Sequence, residues 1–399
     1  MPTLRLKHNE DRRLRAGHLW VFSNEIDVTA TPLTDFAPGA LCRVLSDRDQ
    51  FLGYAYVNPA TLVAARIVSR EASRPVDAKL LTARLESALA LRSRVAAGPY
   101  YRWVYGDADG LPGLVLDRFG DLVVGQIATV GIERLRPDIE AAVRRVLAPA
   151  ALVWKNDSGA RALEQLPDSV EAAWGTLPAD LEIEEVMASG RALKFRAPLA
   201  AGQKTGWYYD QTANRAALAR FLPPRARVLD VCSYAGAWAI AAQEQGAATA
   251  TCIDASGAAL KYAQANAARN GFSIEAIEAN AFQALEALAS RSARFDVVIL
   301  DPPAFIKRKK DIAQGEAAYR KLNQLALALV ADDGLLVSCS CSYHLSQDAL
   351  LGAVQGAARR TGRFVQVLHF GGQSPDHPVH PAIPETRYLK ALFCRVTRE

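Results

Sequence analysis

The sequence predicts an α/β protein: a mostly parallel sheet in the C-terminal half, preceded by a small β module and an α+β middle part. Three observations predict it. From residue 225 onward, apolar strand-like runs alternate with helical stretches, which is the pattern of successive βαβ units. Residues 1–72 hold short β-rich runs bounded by Gly, Pro, Asp and Asn. Residues 73–190 mix both kinds, so the boundaries fall at 1–72, 73–190 and 191–399.

In the first part the strands are Leu41–Leu45, Phe51–Val57 and 61–68, with Arg12, Arg13, Arg15, Arg66 and Arg70 interleaved. A helix over 77–96 opens after Pro75 and closes near Gly98 and Pro99. Tyr101 to Ile127 is strand-like, with a turn at Asp109-Gly110 and a glycine at 120, and 132–147 is helical again. The last part begins with a strand from Arg227. Strands 249–254, 274–278, 295–300, 334–339 and 363–370 follow, separated by helices 236–246, 256–270, 281–289, 313–331 and 346–361.

Of 399 residues, half are hydrophobic and 22% charged, which excludes disorder, collagen and coiled coil as whole-chain classes. Lys and Arg number 47 against 42 acids, a net +5 that permits a polyanionic partner without demanding one. No apolar run approaches the roughly 18 residues of a membrane span, and basic Met1 to Gly17 lacks the apolar stretch of a secretory signal. The six cysteines include no CxxC pair, which argues against a zinc ribbon or disulfide scaffold and makes a reduced cytoplasm the default.

In a parallel sheet the ligand crevice lies outside the carboxyl ends of the strands. The first such end reads Asp230-Val231-Cys232-Ser233-Tyr234-Ala235-Gly236. A dinucleotide loop needs three glycines to approach a pyrophosphate, and Gly236 stands alone. A carboxylate at Asp230 repels phosphate and suits a cationic or zwitterionic ligand. Asp254, with Ala255 and Ser256, ends the second strand, where an acid can accept both ribose hydroxyls. Asn280-Ala281-Phe282 follows the third strand, offering an amide to an adenine edge and a ring to flank it. This order of strand ends resembles the class I S-adenosylmethionine-dependent methyltransferases, with S-adenosylmethionine as the implied cofactor.

The fourth strand ends in Asp301-Pro302-Pro303-Ala304-Phe305. Two prolines fix an extended loop that can present Asp301 to a planar base while Phe305 stacks on it. The fifth ends in Ser338-Cys339-Ser340-Cys341-Ser342. Pyrimidine C5 is not nucleophilic until a thiolate adds to C6, so a cysteine here supplies the missing activation. Either Cys339 or Cys341 fits, and a small core residue is the bland alternative for each.

Further segments carry a closer resemblance. Ala201 to Arg215 resembles a G-Q-K-T-G-aromatic-aromatic-x-D-Q-R-x-N-R signature, with Thr212 in place of the arginine. Asp107 to Arg118, His18 to Ser23, Asp376 to His380 and Glu385 to Lys390 each resemble further signatures of one family. That family is the bacterial 23S ribosomal RNA large-subunit cytosine-C5 methyltransferases, the RlmI-like group. The resemblance spans essentially the whole chain. It implies an N-terminal PUA-type RNA-binding domain, 23S ribosomal RNA as substrate, naked or in a precursor particle, and a cytoplasmic site of action; a homodimer stays open. It assigns the nucleophile to Cys341, with Asp301 assisting at N3 and Cys339 as the runner-up. Ala304 stands where many other RNA cytosine-C5 methyltransferases carry a second cysteine.

Lys307-Arg308-Lys309-Lys310 follows the proline loop and suits phosphates more than an idle solvated face. Lys204 serves the same end or pairs with the methionine carboxylate. His377 and His380 lack a third ligand nearby, so no metal is expected. Trp20 and Phe22 suit RNA stacking or the core of the β module equally. Three rivals remain: a guanine or adenine amino-group methyltransferase using Asp301-Pro302-Pro303, a non-catalytic RNA-binding factor, and a nicotinamide-dependent oxidoreductase, the last weakened by the missing glycines.

Overall fold

The computed structural model describes residues 1–200, 202 and 204–398. They form two compact units. One comprises Met1–Leu181, Pro198–Trp207 and Asp376–Thr386; the other comprises Glu182–Ala197, Tyr208–Pro375 and the chain from Arg387.

The first unit holds two sheets. Strands β1 (Thr3–Arg5), β2 (Trp20–Phe22), β3 (Ala40–Leu45), β4 (Phe51–Val57) and β5 (Val63–Ser69) pair in the order β1-β3-β4-β5-β2. Strands β6 (Tyr100–Tyr105), β7 (Leu114–Phe119), β8 (Leu122–Ile127), β9 (Ala151–Asn156) and β10 (Ser169–Trp174) pair in the order β10-β9-β8-β7-β6. Helix Ala78–Val95 starts where Asp77 accepts from the Leu80 amide at 2.7 Å, which satisfies one orphan donor of its first turn. Its Leu81 and Leu85 share a core with Ile132 and Ile139 of helix Val130–Val146 and with Trp103, Leu116 and Trp154 of the sheet. Gly131 permits one close approach here: an added Cβ would lie 2.0 Å from Cγ of Tyr56.

Three acids of the segment 107–118 anchor this unit. Asp107 accepts from the Trp20 indole at 2.7 Å. Asp109 binds the Arg92 guanidinium through both oxygens, at 2.6 and 2.8 Å. Asp117, fully buried, takes the Arg102 fork and the Thr205 hydroxyl. Asp376 accepts from the Arg102 amide at 2.9 Å. The segment Asp376–Thr386 thus packs with the first unit although it lies late in the sequence.

Strands β11 (Asp180–Val186) and β12 (Ala192–Pro198) form a two-stranded sheet. The second unit is built on β13 (Arg227–Val231), β14 (Thr249–Asp254), β15 (Glu275–Glu278), β16 (Phe295–Leu300), β17 (Val330–Ser340), β18 (Arg363–Gly372) and β19 (Lys390–Arg398). Their order is β15-β14-β13-β16-β17-β19-β18. The first five run parallel, and β19 is antiparallel to both its neighbours. The order reverses at β13, whose neighbours are β14 and β16, and this switch point opens a crevice at the carboxyl ends. Alternation along β13 serves two cores: Leu229 and Val231 face Leu322, Leu350 and Val354, while Val228 faces Trp238 and Leu260.

The predicted alternation from 225 is present, with two differences. The strand expected at 334–339 is longer, because the chain leaves helix Ile312–Leu329 directly into β17. The strand β19 was not expected. Its apolar run Ala391–Cys394 is short and flanked by Lys390 and Arg395, so it carries little strand signal alone; pairing on both sides supplies the rest.

Candidate active site at the carboxyl ends of the sheet

Asp230 lies one residue inside β13 rather than beyond it, and it is fully buried. Its Oδ2 accepts from the Ala239 amide at 3.1 Å, and its Oδ1 has no hydrogen-bond partner among the described residues. Burial, then the charge of Asp301, pushes its carboxyl up to about 8. A buried acceptor left unsatisfied costs free energy, so this atom is matched to a donor from outside the chain.

Beyond Asp230 the backbone turns sharply. Cys232 has φ 65° and Tyr234 φ 48°, and Gly236 at φ 80° sits so close to Ala263 that a Cβ would approach within 2.9 Å. The amides of Cys232 and Ser233 donate to the Ile253 carbonyl at 2.8 and 3.1 Å, tying this loop to β14. Asp254 completes the tie: its oxygens accept from the amides of Tyr234 and Ser256, both at 2.9 Å. Ser256 caps helix Gly257–Arg269, and Ala255 beside it is exposed. Asn280, exposed, caps helix Ala281–Ser290 by accepting from the Phe282 amide at 3.0 Å. The carboxyl ends of β13, β14 and β15 thus gather these residues on one rim.

Asp301 directly follows β16. Gln211 donates to its Oδ1 at 2.9 Å and the Trp238 indole to its Oδ2 at 3.1 Å. Burial, with the charge of Asp210, outweighs these bonds and raises its carboxyl to about 6. Gln211 is itself held by Asn214, which donates to its Oε1 at 2.7 Å. Behind them Arg215, 2% exposed, pairs with Glu185 through two bonds of 2.9 and 2.5 Å.

Cys341 lies just past the end of β17, half-buried, with its thiol donating to the Pro302 carbonyl at 3.8 Å. The two loops are bridged by hydroxyls. Ser340 donates to the Tyr319 hydroxyl at 2.8 Å, which lies 2.9 Å from Ser342 Oγ, and Ser342 Oγ accepts from the Ile306 amide at 3.2 Å. Cys339 is fully buried in the apolar cluster with Trp238 and Phe393, and burial pushes its thiol far up.

The remaining predicted positions divide. Pro302 is buried and Pro303 exposed. The Phe305 ring is packed among Tyr319 at 4.8 Å and Phe282 at 6.1 Å. Lys307, Arg308, Lys309 and Lys310 are exposed, with Arg308 paired to Asp311 at 3.1 Å. Lys204 belongs to the first unit and is exposed there. Among the described residues no three His, Cys, Asp or Glu side chains gather as a metal set, and no helix is long and apolar enough to cross a membrane.

Three contacts at the site carry no sequence expectation: Gln211 and Trp238 on Asp301, and Lys390 beside Cys341. Gln211 and Lys390 lie in the family-like segments 201–215 and 385–390, which were their only signals. Trp238 reads as one more apolar helix residue, because its indole N–H is informative only once Asp301 is found opposite.

S-adenosylmethionine carries a cationic sulfonium and an ammonium, so an acid-rich rim with a buried unsatisfied carboxylate oxygen fits it. A family model described as S-adenosylmethionine-dependent methyltransferase matches residues 115–395, and a PUA-like domain model matches residues 4–70. A Cronobacter sakazakii protein named ribosomal RNA large subunit methyltransferase I is 31% identical over 98% of this chain and 98% of that protein. The Salmonella arizonae protein of the same name is 31% identical over 99% of this chain and 98% of its own length. Among solved structures, a candidate methyltransferase complexed with SAH superposes with TM-score 0.83 at 20% identity, covering 99% of this chain and all of the other. A candidate S-adenosylmethionine-dependent methyltransferase from Streptococcus mutans gives 0.82 at 19% identity, again over 99% of this chain and all of the other. At that identity the superpositions speak for the fold.

Proposed function

We propose that this chain, which belongs to the S-adenosylmethionine-dependent methyltransferase family, methylates C5 of a cytosine in 23S ribosomal RNA through a transient bond from Cys341 to C6. Its activity as a methyltransferase and its cofactor follow from the family. Ribosomal RNA of the large subunit is supported by the names of its full-length relatives, and RNA contact by the PUA-like match. The observation that carries the C5 reading is the half-buried Cys341 thiol lying against the Asp301-Pro302 loop. An amino-group methyltransferase has no use for a thiol there.

On this reading Asp230, Gly236, Asp254 and Asn280, with neighbours Cys232, Ser233, Tyr234, Ala255, Ser256, Ala281 and Phe282, hold the cofactor, which supplies an electrophilic methyl group when bound. Cys341 Sγ forms a bond to C6, and the electron pair moves toward C5 and N3. Asp301, its carboxyl near 6, is poised to deliver a proton at N3 as the adduct forms. Once C5 carries the methyl group, loss of its proton to solvent lets the Sγ–C6 bond break, the thiolate leaves, and N3 returns its proton to Asp301. Lys307 to Lys310 meet phosphates, and Lys204 serves the RNA. The parts are a PUA-like domain (1–72), a middle domain (73–190) and the methyltransferase domain (191–399), and a ribosomal substrate places the work in the cytoplasm.

The test is a map of methylated cytosines in ribosomal RNA from cells with and without the protein. One large-subunit cytosine is expected to lose its methyl group, and an unchanged map refutes the reading.

Cofactor affinity is expected to depend on pH through Asp230. Its carboxyl is protonated below about 8 and ionised above, and a cation is held by the ionised form. The affinity therefore rises with pH to about 8 and flattens beyond, by up to roughly tenfold per unit below that point. Calorimetric titration with S-adenosylmethionine from pH 6 to 9 measures this. Asp230→Asn is expected to bind weakly and without that slope; a sloped profile in the variant would assign the effect elsewhere.

A further inference from the structure

The roles above leave a buried cation at the end of β17 unused. Lys390 opens β19 opposite Ser340, one residue before Cys341. It is 5% exposed, and its Nζ donates to the Ser342 carbonyl at 2.6 Å and to the Tyr388 carbonyl at 2.9 Å. Taking an ammonium out of water is costly, and two neutral carbonyls return part of that cost. A lysine buried at this point without an anion is therefore poorly compensated. Burial pushes it down to about 8, while the charge of Cys341 acts in the opposite direction.

Among the described residues, three further ionisable groups feel the charge of Cys341, and none of them is a cation. Tyr319 comes from helix Ile312–Leu329, Tyr208 precedes helix Thr212–Leu218, and Cys339 lies on β17; burial pushes all three up, so they stay neutral. Asp301 heads the loop that the thiol touches and disfavours a second negative charge. Arg387 repels Lys390 without offsetting this. We propose that Lys390 is the positioning residue that holds Cys341 as the thiolate before attack, an inference that rests on the cysteine-adduct reading. Its two carbonyl bonds fix the ammonium at the Ser342 carbonyl, one residue past Cys341, so the charge is in place before RNA arrives. The thiol releases its proton to solvent, Lys390 keeps its own, and the pair neutralises.

The experiment is iodoacetamide labelling of Cys341 in the full chain between pH 5 and 10, read by peptide mass spectrometry. The wild-type midpoint is expected below the roughly 8.5 of an ordinary thiol. Lys390→Gln keeps an N–H for the Ser342 carbonyl and removes the charge. Its midpoint is expected to rise by about one unit, slowing labelling at pH 7 about tenfold, and Lys390→Arg is expected to restore most of the rate. Coincident profiles for wild type and Lys390→Gln would overturn the proposal. Should the glutamine variant not fold, a wild-type midpoint at or above 8.5 does the same. Labelling needs neither RNA nor methyl donor, so the two readings fail separately: an unchanged cytosine map removes the function and leaves the ion pair standing.

Discussion

Replacing Cys341 with alanine is expected to abolish methyl transfer to ribosomal RNA while leaving cofactor binding intact. Without addition at C6, cytosine C5 stays an unreactive ring carbon, and burial pushes the other thiol of the rim, Cys232, up and so keeps it from acting as a covalent activator. The loss is expected to reach about 10⁴-fold or more, roughly 5 kcal/mol in the barrier. It is measured by transfer of labelled methyl groups to large-subunit RNA from cells lacking the protein, beside a calorimetric titration of S-adenosylmethionine. Cys339→Ala is the internal control. That thiol is fully buried among apolar side chains, so its removal is expected to cost about 1 kcal/mol of stability and little activity. Full methylation by Cys341→Ala would favour amino-group chemistry at the Asp301 loop; loss in Cys339→Ala alone would move the nucleophile inward.

Glu185→Ala is expected to produce the largest loss of stability. Arg215 is buried with its guanidinium held by both Glu185 oxygens, and it also donates to Thr212 Oγ1 at 3.2 Å. Removing the carboxylate leaves a charge out of water without its main partner, which costs about 3–5 kcal/mol. For a unit of this size that lowers Tm by about 10 °C. A double variant, Glu185→Leu with Arg215→Met, is expected to recover most of the loss, since no charge then stays buried. Scanning calorimetry of the three proteins decides it, and a Glu185→Ala transition within 2 °C of wild type would show the pair to be expendable. Methylation is expected to suffer too, because Arg215 sits one turn along from Gln211, the residue that grips Asp301.

Much of this site was legible because strand ends are where a parallel sheet puts its chemistry. Asp254, Asn280, Asp301 and Cys341 each stand at or just beyond one, and Asp230 is displaced by a single residue. The choice between Cys339 and Cys341 was not legible from pattern. Two residues apart on a strand, they share a face, and period-two alternation treats them alike. What separates them is depth: β17 stops at Ser340, so one thiol is inside the sheet and the other past its end. Gln211, Trp238 and Lys390 escaped for a related reason. Each matters through a partner 48 or more positions away, and neither periodicity nor composition reports such pairings. Phe305, expected to stack on a base, also has ring neighbours that its position did not announce: its partly buried ring packs against Tyr319 and Phe282.

The order of the seven-stranded sheet also sets a timetable for a nascent chain. β18 is synthesised before β19, yet among the described strands β19 is its sole neighbour. Until β19 docks, a ten-residue strand has no edge to join and displays Phe364, Leu368 and Phe370. Meanwhile β17 offers its own open edge to any passing strand. Anything that delays the docking of β19 after the chain leaves the ribosome therefore exposes two sticky surfaces at once. A chain cut after residue 389 is expected to yield more aggregate and more chaperone-bound product than the full chain.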